Sequence, residues 1–450
     1  MQQYPANQQN LQAMLSNLNI EGLVPKIIFT FAMIFIFRLC AQLPLFGIDA
    51  HNFANLASTN NLIGFLDMFS GGAFSNASIF ALGIMPYISA SIVVQLLTMV
   101  VPSFQKMQRE GESGRRKINQ ITRYLTIIVL VIQAPAYLTN LMYQARGAIN
   151  PGIPTTAFFI TSTIILAAGS MFILWLGERI TDKGIGNGIS FIILIGIIAR
   201  FPTAFSQEFT SRMTSAQGGG MVMFLFEIIA LFFVFMAAIM LTQGVRKIPV
   251  QYAKQISGGK QFGGARQYIP LKVNAANVMP IIFAQAIMFI PLSFIRMDKL
   301  ETAGKFVRLL TDTDSWLYNL IFAILIILFT LFYTAITVNP TQMAEDMKRN
   351  NGFIPGVKPG KDTADYIDTV MSRITLPGSL FIAFIAIMPA FASLLAVQDA
   401  FSQFFGGTSL LILVGVVLDT LQQIESHLLM RHYDGLLSSG RIHGRGGVAA

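Results

Sequence analysis

Residues 221–243 read MVMFLFEIIALFFVFMAAIMLTQ, a run that contains a single charged side chain, Glu227. As an α-helix, a run of this length rises about 34 Å, which is enough to cross the roughly 30 Å hydrocarbon core of a bilayer. A helix that is apolar on every face does not suit the surface of a soluble protein, because its outer face would then lie in water. The run therefore predicts a helix that spans a membrane.

Similar apolar runs recur throughout the 450 residues. Hydrophobic residues make up 54% of the chain and charged residues only 12%, and the mean hydropathy is +0.60. An average soluble domain carries about 25% charged residues. The pattern predicts an all-α integral membrane protein with ten transmembrane helices, near residues 24–43, 76–100, 121–142, 155–177, 189–203, 221–243, 274–295, 315–337, 375–396 and 408–430.

Basic residues are unevenly distributed between the two ends of these runs. Of the 31 Lys and Arg, 22 fall in or beside the loops on the side that carries both termini, 7 fall on the other side, and Lys26 and Arg38 lie within the first run. Loops rich in Lys and Arg face the cytoplasm in membrane proteins. We therefore expect both termini to be cytoplasmic.

Metal, cofactor and catalytic sites are not expected. The chain has one cysteine, Cys40, and its four histidines form no close ligand pattern, so neither an internal disulfide nor a metal site is predicted. The nearest approach to a nucleotide-binding loop, at 356–362, ends in Asp362 instead of Ser or Thr. Residues 1–20 contain no Lys or Arg, so we expect no cleavable signal peptide. We predict that the protein is not an enzyme and that any energy comes from a partner.

Several runs contain breaks that a simple membrane anchor does not need. Pro86 lies inside the second run and Pro280 inside the seventh, where we expect each to kink its helix. The apolar segment 65–72 is too short to span and ends in two glycines. Irregular backbone at membrane depth is tolerated only where protein surrounds it or where it lines a cavity. These breaks predict a path through the protein.

Ionisable residues within the runs are few, and this bears on what the path carries. They include Arg38, Glu227, Asp419 and Glu425. Proton and ion carriers line their routes with such side chains, so their scarcity favours a passive conduit. A secondary transporter for a small solute, which also uses inverted halves and broken helices, remains the alternative.

Six ordered motifs indicate a family. They are MFSGGA at 68–73, ASIFALGIMPYIS at 77–89, EGESGRRK at 110–117, GIGNGIS at 184–190, PLKVN at 270–274 and GGTSLL at 406–411. In order and spacing they resemble the SecY family, the central subunit of the bacterial Sec translocon, over about residues 22–446.

The resemblance implies two inverted five-helix halves around a central pore. The first half is 22–206, including a plug segment at 62–74, and the second is 207–430, with cytoplasmic loops at 244–273 and 338–373. Residues 1–21 and 431–450 are then cytoplasmic tails. The implied function is a protein-conducting channel that translocates unfolded, signal-bearing polypeptides and releases membrane helices sideways into lipid.

The resemblance also assigns roles to individual residues. A pore ring would comprise Ile84, Ile88, Ile189, Ile193, Ile282, Leu411 and Ile412. The plug would include Phe65, Met68, Phe69, Ser70, Gly71 and Gly72, and the lateral gate Ser89, Gln95 and Asn274. Loops for docking partners would present Arg246, Lys247, Lys254, Lys260, Lys348, Arg349 and Lys358. The spacing agrees in part, because Ile84 and Ile88, like Ile189 and Ile193, are four residues apart and share a helix face.

The implied partners follow from the family. They are SecE-like and SecG-like small membrane subunits, the motor ATPase SecA, the ribosome, signal sequences with their unfolded or nascent polypeptides, and membrane lipid. The implied location is the bacterial inner membrane, crossed several times.

Overall fold

The computed structural model describes residues 23–48, 70, 72–74, 76–144, 154–214, 220–252, 255–257, 260–262, 266–276, 278–294, 309, 315–395 and 397–438. In the first half of the chain the helices are α1 (Val24–Cys40), α2 (Met85–Val100), α3 (Pro102–Arg109), α4 (Glu112–Gln144), α5 (Thr155–Lys183) and α6 (Gly188–Thr214). Those that follow are α7 (Gly220–Gln243), α8 (Met279–Phe294), α9 (Trp316–Thr337), α10 (Pro340–Arg349), α11 (Lys361–Leu394), α12 (Asp399–Ser402) and α13 (Gly407–Ser438).

Each of the ten predicted spans contains a helix. Seven helices of the described residues are long and apolar enough to cross a membrane, and α2 with α3, bent by 102° at their junction, gives an eighth span if counted as one. The remaining two, α1 and α8, are shorter, with 17 and 16 residues. The helices are thus consistent with ten spans, of which seven to eight satisfy length and composition alone.

Large apolar side chains cover the outside of the helices. On α1, Phe31 and Phe35 are 66% and 67% exposed, and on α7, Val222 and Met240 are 80% and 70% exposed. A soluble protein does not leave continuous apolar surface of this kind in water. Lipid is the solvent that makes these faces stable, so the fold is that of a multi-pass membrane protein.

The predicted proline kinks are corrected by the structure. Pro86 lies in the first turn of α2, and Pro280 is the second residue of α8, so both prolines begin helices and do not bend them. Proline suits the first turn because its missing N–H would have no intrahelical partner there. Pro377 and Pro389, by contrast, lie inside the continuous helix α11.

Helix α6 extends well beyond its predicted end. It continues from Gly188 to Thr214 and so crosses the boundary at 206/207 that was expected between the halves. At its start it packs closely on α5. A Cβ added at Gly188 would lie 2.0 Å from the carbonyl oxygen of Gly177, and one added at Gly177 would lie 2.9 Å from Ile189 Cγ1. Glycine permits this close crossing because small residues let helix backbones approach in membranes.

The two long loops form a sheet, which the all-α expectation did not include. Strands β1 (Val245–Tyr252), β4 (Arg266–Lys272) and β5 (Gly352–Phe353) pair in the order β4-β1-β5, with Ile248 opposite Ile269 and Gln251 opposite Phe353. A separate hairpin joins β2 (Gln255–Ser257) to β3 (Lys260–Phe262). Since β5 comes from the second loop, the sheet joins both loops into one body.

We predict that replacing Gly188 with Ala destabilises the protein by about 3 kcal/mol, because a side chain forced into a filled space strains both helices. At Gly111, φ is +72° and nothing lies within 4 Å of an added Cβ. Gly111→Ala therefore lowers the free energy of unfolding by only about 1 kcal/mol, which is the cost of holding Ala in a left-handed backbone conformation. Unfolding midpoints of the purified variants in detergent test this, and equal midpoints would contradict the close α5–α6 contact.

Candidate functional site

The seven aliphatic residues expected in the pore ring lie at the starts of four helices. Ile84 is the residue before α2, and Ile88 is in the first turn of that helix. In the first two turns of three other helices lie Ile189 and Ile193 on α6, Ile282 on α8, and Leu411 and Ile412 on α13. Counted along the chain, α2 and α8 are the second spans of the first and second predicted halves. Helices α6 and α13 are the fifth spans of these halves.

These seven residues belong to one hydrophobic cluster. Five of them are buried, namely Ile84, Ile88, Ile193, Leu411 and Ile412, with exposed fractions from 2% to 8%. Ile189 and Ile282 are half-buried and pack against the same cluster. That cluster is the main hydrophobic core of the described residues, and it includes side chains from helix starts that are separated by more than 300 positions in sequence.

Two of these helix starts have hydrogen bonds between side chains and the backbone. At α6, the Asn187 side-chain oxygen accepts hydrogen bonds from the Ile189 and Ser190 amides at 3.1 and 3.4 Å, and Thr181 Oγ1 accepts one from the Gly188 amide at 2.9 Å. Unpaired amides at a buried helix start would be costly, and these acceptors remove that cost at α6. At α13, the Ser409 hydroxyl donates to the Gln403 carbonyl at 2.6 Å, which pairs a carbonyl of the chain just before the helix.

The start of α13 also depends on glycine. A Cβ at Gly406 would lie 2.3 Å from the Ile385 carbonyl oxygen of α11, and Gly407 has a φ of +67°. This close approach sets the start of α13 directly against the turn of α11 that precedes Pro389. Leu411 and Ile412 are therefore positioned by α11 as well as by their own helix.

Part of the expected plug lies in the described residues. Ser70 Oγ accepts a hydrogen bond from the Phe74 amide at 2.9 Å, and the Tyr137 hydroxyl of α4 donates to the Phe74 carbonyl at 3.3 Å. Gly72 has a φ of +95°, and the Arg200 guanidinium lies 3.2 Å from the position of a Cβ there. The other expected plug residues, Phe65, Met68, Phe69 and Gly71, lie outside the described residues.

Of the residues expected at a lateral gate, Ser89 and Gln95 lie on α2, which packs beside α4 and α8, and Asn274 lies in the connection before α8. The Ser89 hydroxyl donates to the Met85 carbonyl at 3.1 Å, and Gln95 Nε2 donates to Ser91 Oγ at 3.2 Å, so both contacts stay within α2. Asn274, just before α8, is buried, and its Oδ1 has no hydrogen-bond partner among the described residues. The structure thus places these side chains on adjacent elements without joining them.

The expected docking residues surround a compact body that we call the sheet unit, composed of β1, β4, β5, α10 and the first turns of α11. Its core is formed by Ile248, Val250, Leu271, Met347, Ile354, Ile367 and Met371. Arg246 and Lys247 on β1, Lys348 and Arg349 at the end of α10, and Lys358 before α11 are all exposed. Lys254 lies outside the described residues, and only the backbone of Lys260, in β3, is described.

A buried ionic group was not predicted from the sequence. Arg212 Nε donates to Glu208 Oε1 at 2.7 Å, and Arg212 Nη2 donates to Glu227 Oε1 at 2.5 Å. Glu208, Arg212 and Glu227, the arginine triad, are only 0%, 6% and 3% exposed. Glu227 was noted as an intramembrane acid, and the spacing of Glu208 and Arg212 by four residues was the available signal for its partner.

Comparisons with known proteins agree with one another. The family model of SecY matches residues 78–421. The protein translocase subunit SecY of Thermotoga maritima is 38% identical over 443 residues, covering 96% of this chain and 99% of the relative. That of Haemophilus influenzae is 40% identical over 448 residues, covering 98% and 100%.

The chain belongs to the SecY family. A solved protein-conducting channel has the same fold, with a TM-score of 0.64 at 18% identity, covering 90% of this chain and 91% of that one. The Sec61 of a canine ribosome–channel complex from the endoplasmic reticulum follows, with a TM-score of 0.59 at 17% identity and the same coverage. The function expected from the sequence, a protein-conducting membrane channel and not an enzyme, is confirmed by the family. The solute-transporter alternative receives no support.

We predict that Val250→Asp unfolds the sheet unit and leaves the membrane helices folded. Val250 is fully buried in that unit, and an unpaired carboxylate there is costly. Trypsin should then cleave at the exposed Arg246, Lys247 and Arg349 faster than in the parent. Val245→Asp is the matched control, because Val245 is 39% exposed on the same strand. Equal cleavage of the two variants would contradict the packing of the two loops into one body.

Proposed function

We propose that the seven aliphatic residues at the starts of α2, α6, α8 and α13 form the constriction through which the polypeptide passes. The observation that carries this proposal is that all seven lie at the starts of four helices and are buried in, or pack against, the same hydrophobic core. The arrangement is also balanced, because the second and fifth spans of each half contribute.

The chemistry of the cluster suits a conduit. Aliphatic side chains offer no ligand for an ion, and a narrow apolar passage closes by losing its water. Ile and Leu also contact a passing chain by dispersion alone, which does not depend on the sequence of that chain. The constriction can therefore stay closed to small ions and still accept many different polypeptides.

The plug and the lateral gate complete the proposed pathway. The segment 62–74 closes the channel from one side, and the bonds of Tyr137 and Ser70 to Phe74 support an anchored end for it. Signal sequences and membrane helices leave between α2 and α4 on one side and α8 and α9 on the other. The packing of α8 against both α2 and α4 supports this exit, since these are the contacts that must separate.

The sheet unit is the proposed docking site for the partner that supplies energy. Its exposed cations suit an anionic surface such as the phosphates of ribosomal RNA, and its rigid core gives the motor ATPase SecA a defined surface. We propose that it faces the cytoplasm together with both termini, as the 22-to-7 distribution of Lys and Arg indicates. SecE-like and SecG-like subunits are the proposed membrane partners.

Transport into vesicles tests the function directly. The chain and its SecE-like partner are reconstituted in liposomes, and SecA, ATP and a preprotein are added. Preprotein that becomes resistant to external protease has been translocated. Protection should require both ATP and the signal sequence. Protection that occurs without ATP, or with a signal-deleted preprotein, would contradict the proposal. Saturable uptake of a small solute would also contradict it.

We predict that Leu411→Arg passes roughly tenfold more signal-deleted preprotein than the parent, because a charge in the constriction hydrates it and shifts the population towards the open state. Leu411→Met, which keeps an apolar side chain of similar volume, should retain the parent's discrimination. The ratio of signal-deleted to intact preprotein in the protease assay measures the effect. Unchanged rejection by Leu411→Arg would exclude Leu411 from the constriction.

A further inference from the structure

The arginine triad joins three segments of the chain. Glu208 and Arg212 lie near the end of α6, and Glu227 lies about two turns into α7. The third segment is the connection from α11 to α12, where the Gln398 amide donates to Glu208 Oε2 at 2.8 Å. Arg212 Nη2 also donates to the Leu395 carbonyl at 3.4 Å, and Gln398 Nε2 donates to Ser211 Oγ at 3.1 Å. Its bonds therefore join the last helix of the first half to two elements of the second.

Aromatic rings pack around this junction. Phe205 of α6 lies 5.4 Å from Phe224 of α7 and 6.2 Å from Phe401 of α12, measured between ring centroids. Phe201 lies 5.2 Å from Phe404. Such packing keeps water from the triad, and hydrogen bonds to charged groups are strong in surroundings of low polarity. The end of α6 is thus held to the second half by directional bonds inside an apolar shell.

The segment held by the triad leads directly to the proposed constriction. Gln398 precedes α12, and the chain then passes Gly406 and Gly407 into the first turns of α13, which carry Leu411 and Ile412. Helix α6, at the other end of which Ile189 and Ile193 lie, is the second element that the triad holds. A shift at the triad would therefore move two of the four helix starts relative to each other.

We propose that Arg212 is a positioning residue for channel closure: the triad fixes α6 against α7 and the α11–α12 connection, and so sets how tightly the aliphatic constriction closes at rest. This inference rests on the proposed function of the cluster. It differs from a merely stabilising role, because it predicts that closure is lost even in a variant that stays fully folded.

Two variants separate positioning from stability. Arg212→Met leaves two buried carboxylates without their cation and is expected to lower the unfolding midpoint. The triple variant Glu208→Gln, Arg212→Met and Glu227→Met removes every charge and keeps an acceptor for the Gln398 amide. Replacing a buried ion group by apolar side chains of similar volume is often neutral for stability. The triple variant should unfold close to the parent midpoint. Both variants should pass roughly tenfold more signal-deleted preprotein, as expected if the population of the open state rises by about that factor.

A cross-link between α6 and the α11–α12 connection should restore channel closure in the triple variant. A residue that only stabilises the fold would not predict this rescue. The starting chain is the triple variant with Cys40→Ala, which has no cysteine left. Two new cysteines, Ser211→Cys and Gln398→Cys, are added to it. A bifunctional thiol reagent then joins these two cysteines. Restored rejection of signal-deleted preprotein is the expected result. Arg123→Met is the matched control, because the Arg123–Glu178 pair, 2.7 Å between Nη2 and Oε1, joins α4 to α5 within the first half. It should leave rejection unchanged.

The outcomes distinguish this inference from the proposed function. If the parent complex shows no signal-dependent transport, the proposed function fails. If the parent discriminates and the triple variant rejects signal-deleted preprotein equally well, the positioning role of Arg212 is wrong. The positioning role is also wrong if the cross-linked triple variant still passes signal-deleted preprotein. It is wrong as well if Arg123→Met passes as much of this preprotein as the triple variant does.

Discussion

Inside a bilayer no water is available to pair with backbone N–H and C=O groups, and this constraint governs the whole structure. Helices satisfy these groups within themselves except at their ends, so a helix can begin only at a surface or inside protein that provides partners. The four helix starts at the aliphatic cluster reduce this cost in different ways. Pro86 and Pro280, in the first turns of α2 and α8, each remove one amide that would need a partner. Asn187 and Thr181 accept hydrogen bonds from the first amides of α6, and the Ser409 hydroxyl donates to a carbonyl just before α13.

Because those starts are satisfied locally, the side chains that they present are free to be entirely apolar. A channel built from polar groups would bind what it conducts, and a channel built from Ile and Leu does not. The same reasoning explains why polar chemistry is concentrated elsewhere. Exposed cations lie on the sheet unit and at the start of α4. The buried ionic triad lies at the junction of α6, α7 and the chain before α12, where its bonds hold helices in position.

Most of the fold could be predicted from the sequence, because a span is a local property of about 20 residues. Both the ten helical runs and the family followed from such local patterns. The prolines were misplaced because a proline within an apolar run fits a kink and a helix start equally well, and the turns before α2 are themselves apolar. The sheet was missed because β5 has only two residues, and its pairing with β1 joins loops that are about 100 residues apart.

The site was less accessible to sequence reasoning than the fold. Composition cannot distinguish a constriction isoleucine from one that faces lipid, so the ring residues depended on the family motifs. Glu208, four residues before Arg212, was the one local signal of the ionic group. The other partners of Arg212 lie on α7 and at the end of α11, and a contact between distant segments leaves little trace in one sequence.

The most direct test of the account is cross-linking to a polypeptide halted during transport. Single cysteines are placed at Ile88, Ile193 and Leu411 in the Cys40→Ala chain, and the halted polypeptide carries one cysteine in its middle. The account predicts a disulfide with each of the three positions and none with a cysteine at Phe232, which is 64% exposed on the outer face of α7. Cross-links at Phe232, or none at the three cluster positions while the polypeptide is held in the membrane, would contradict it.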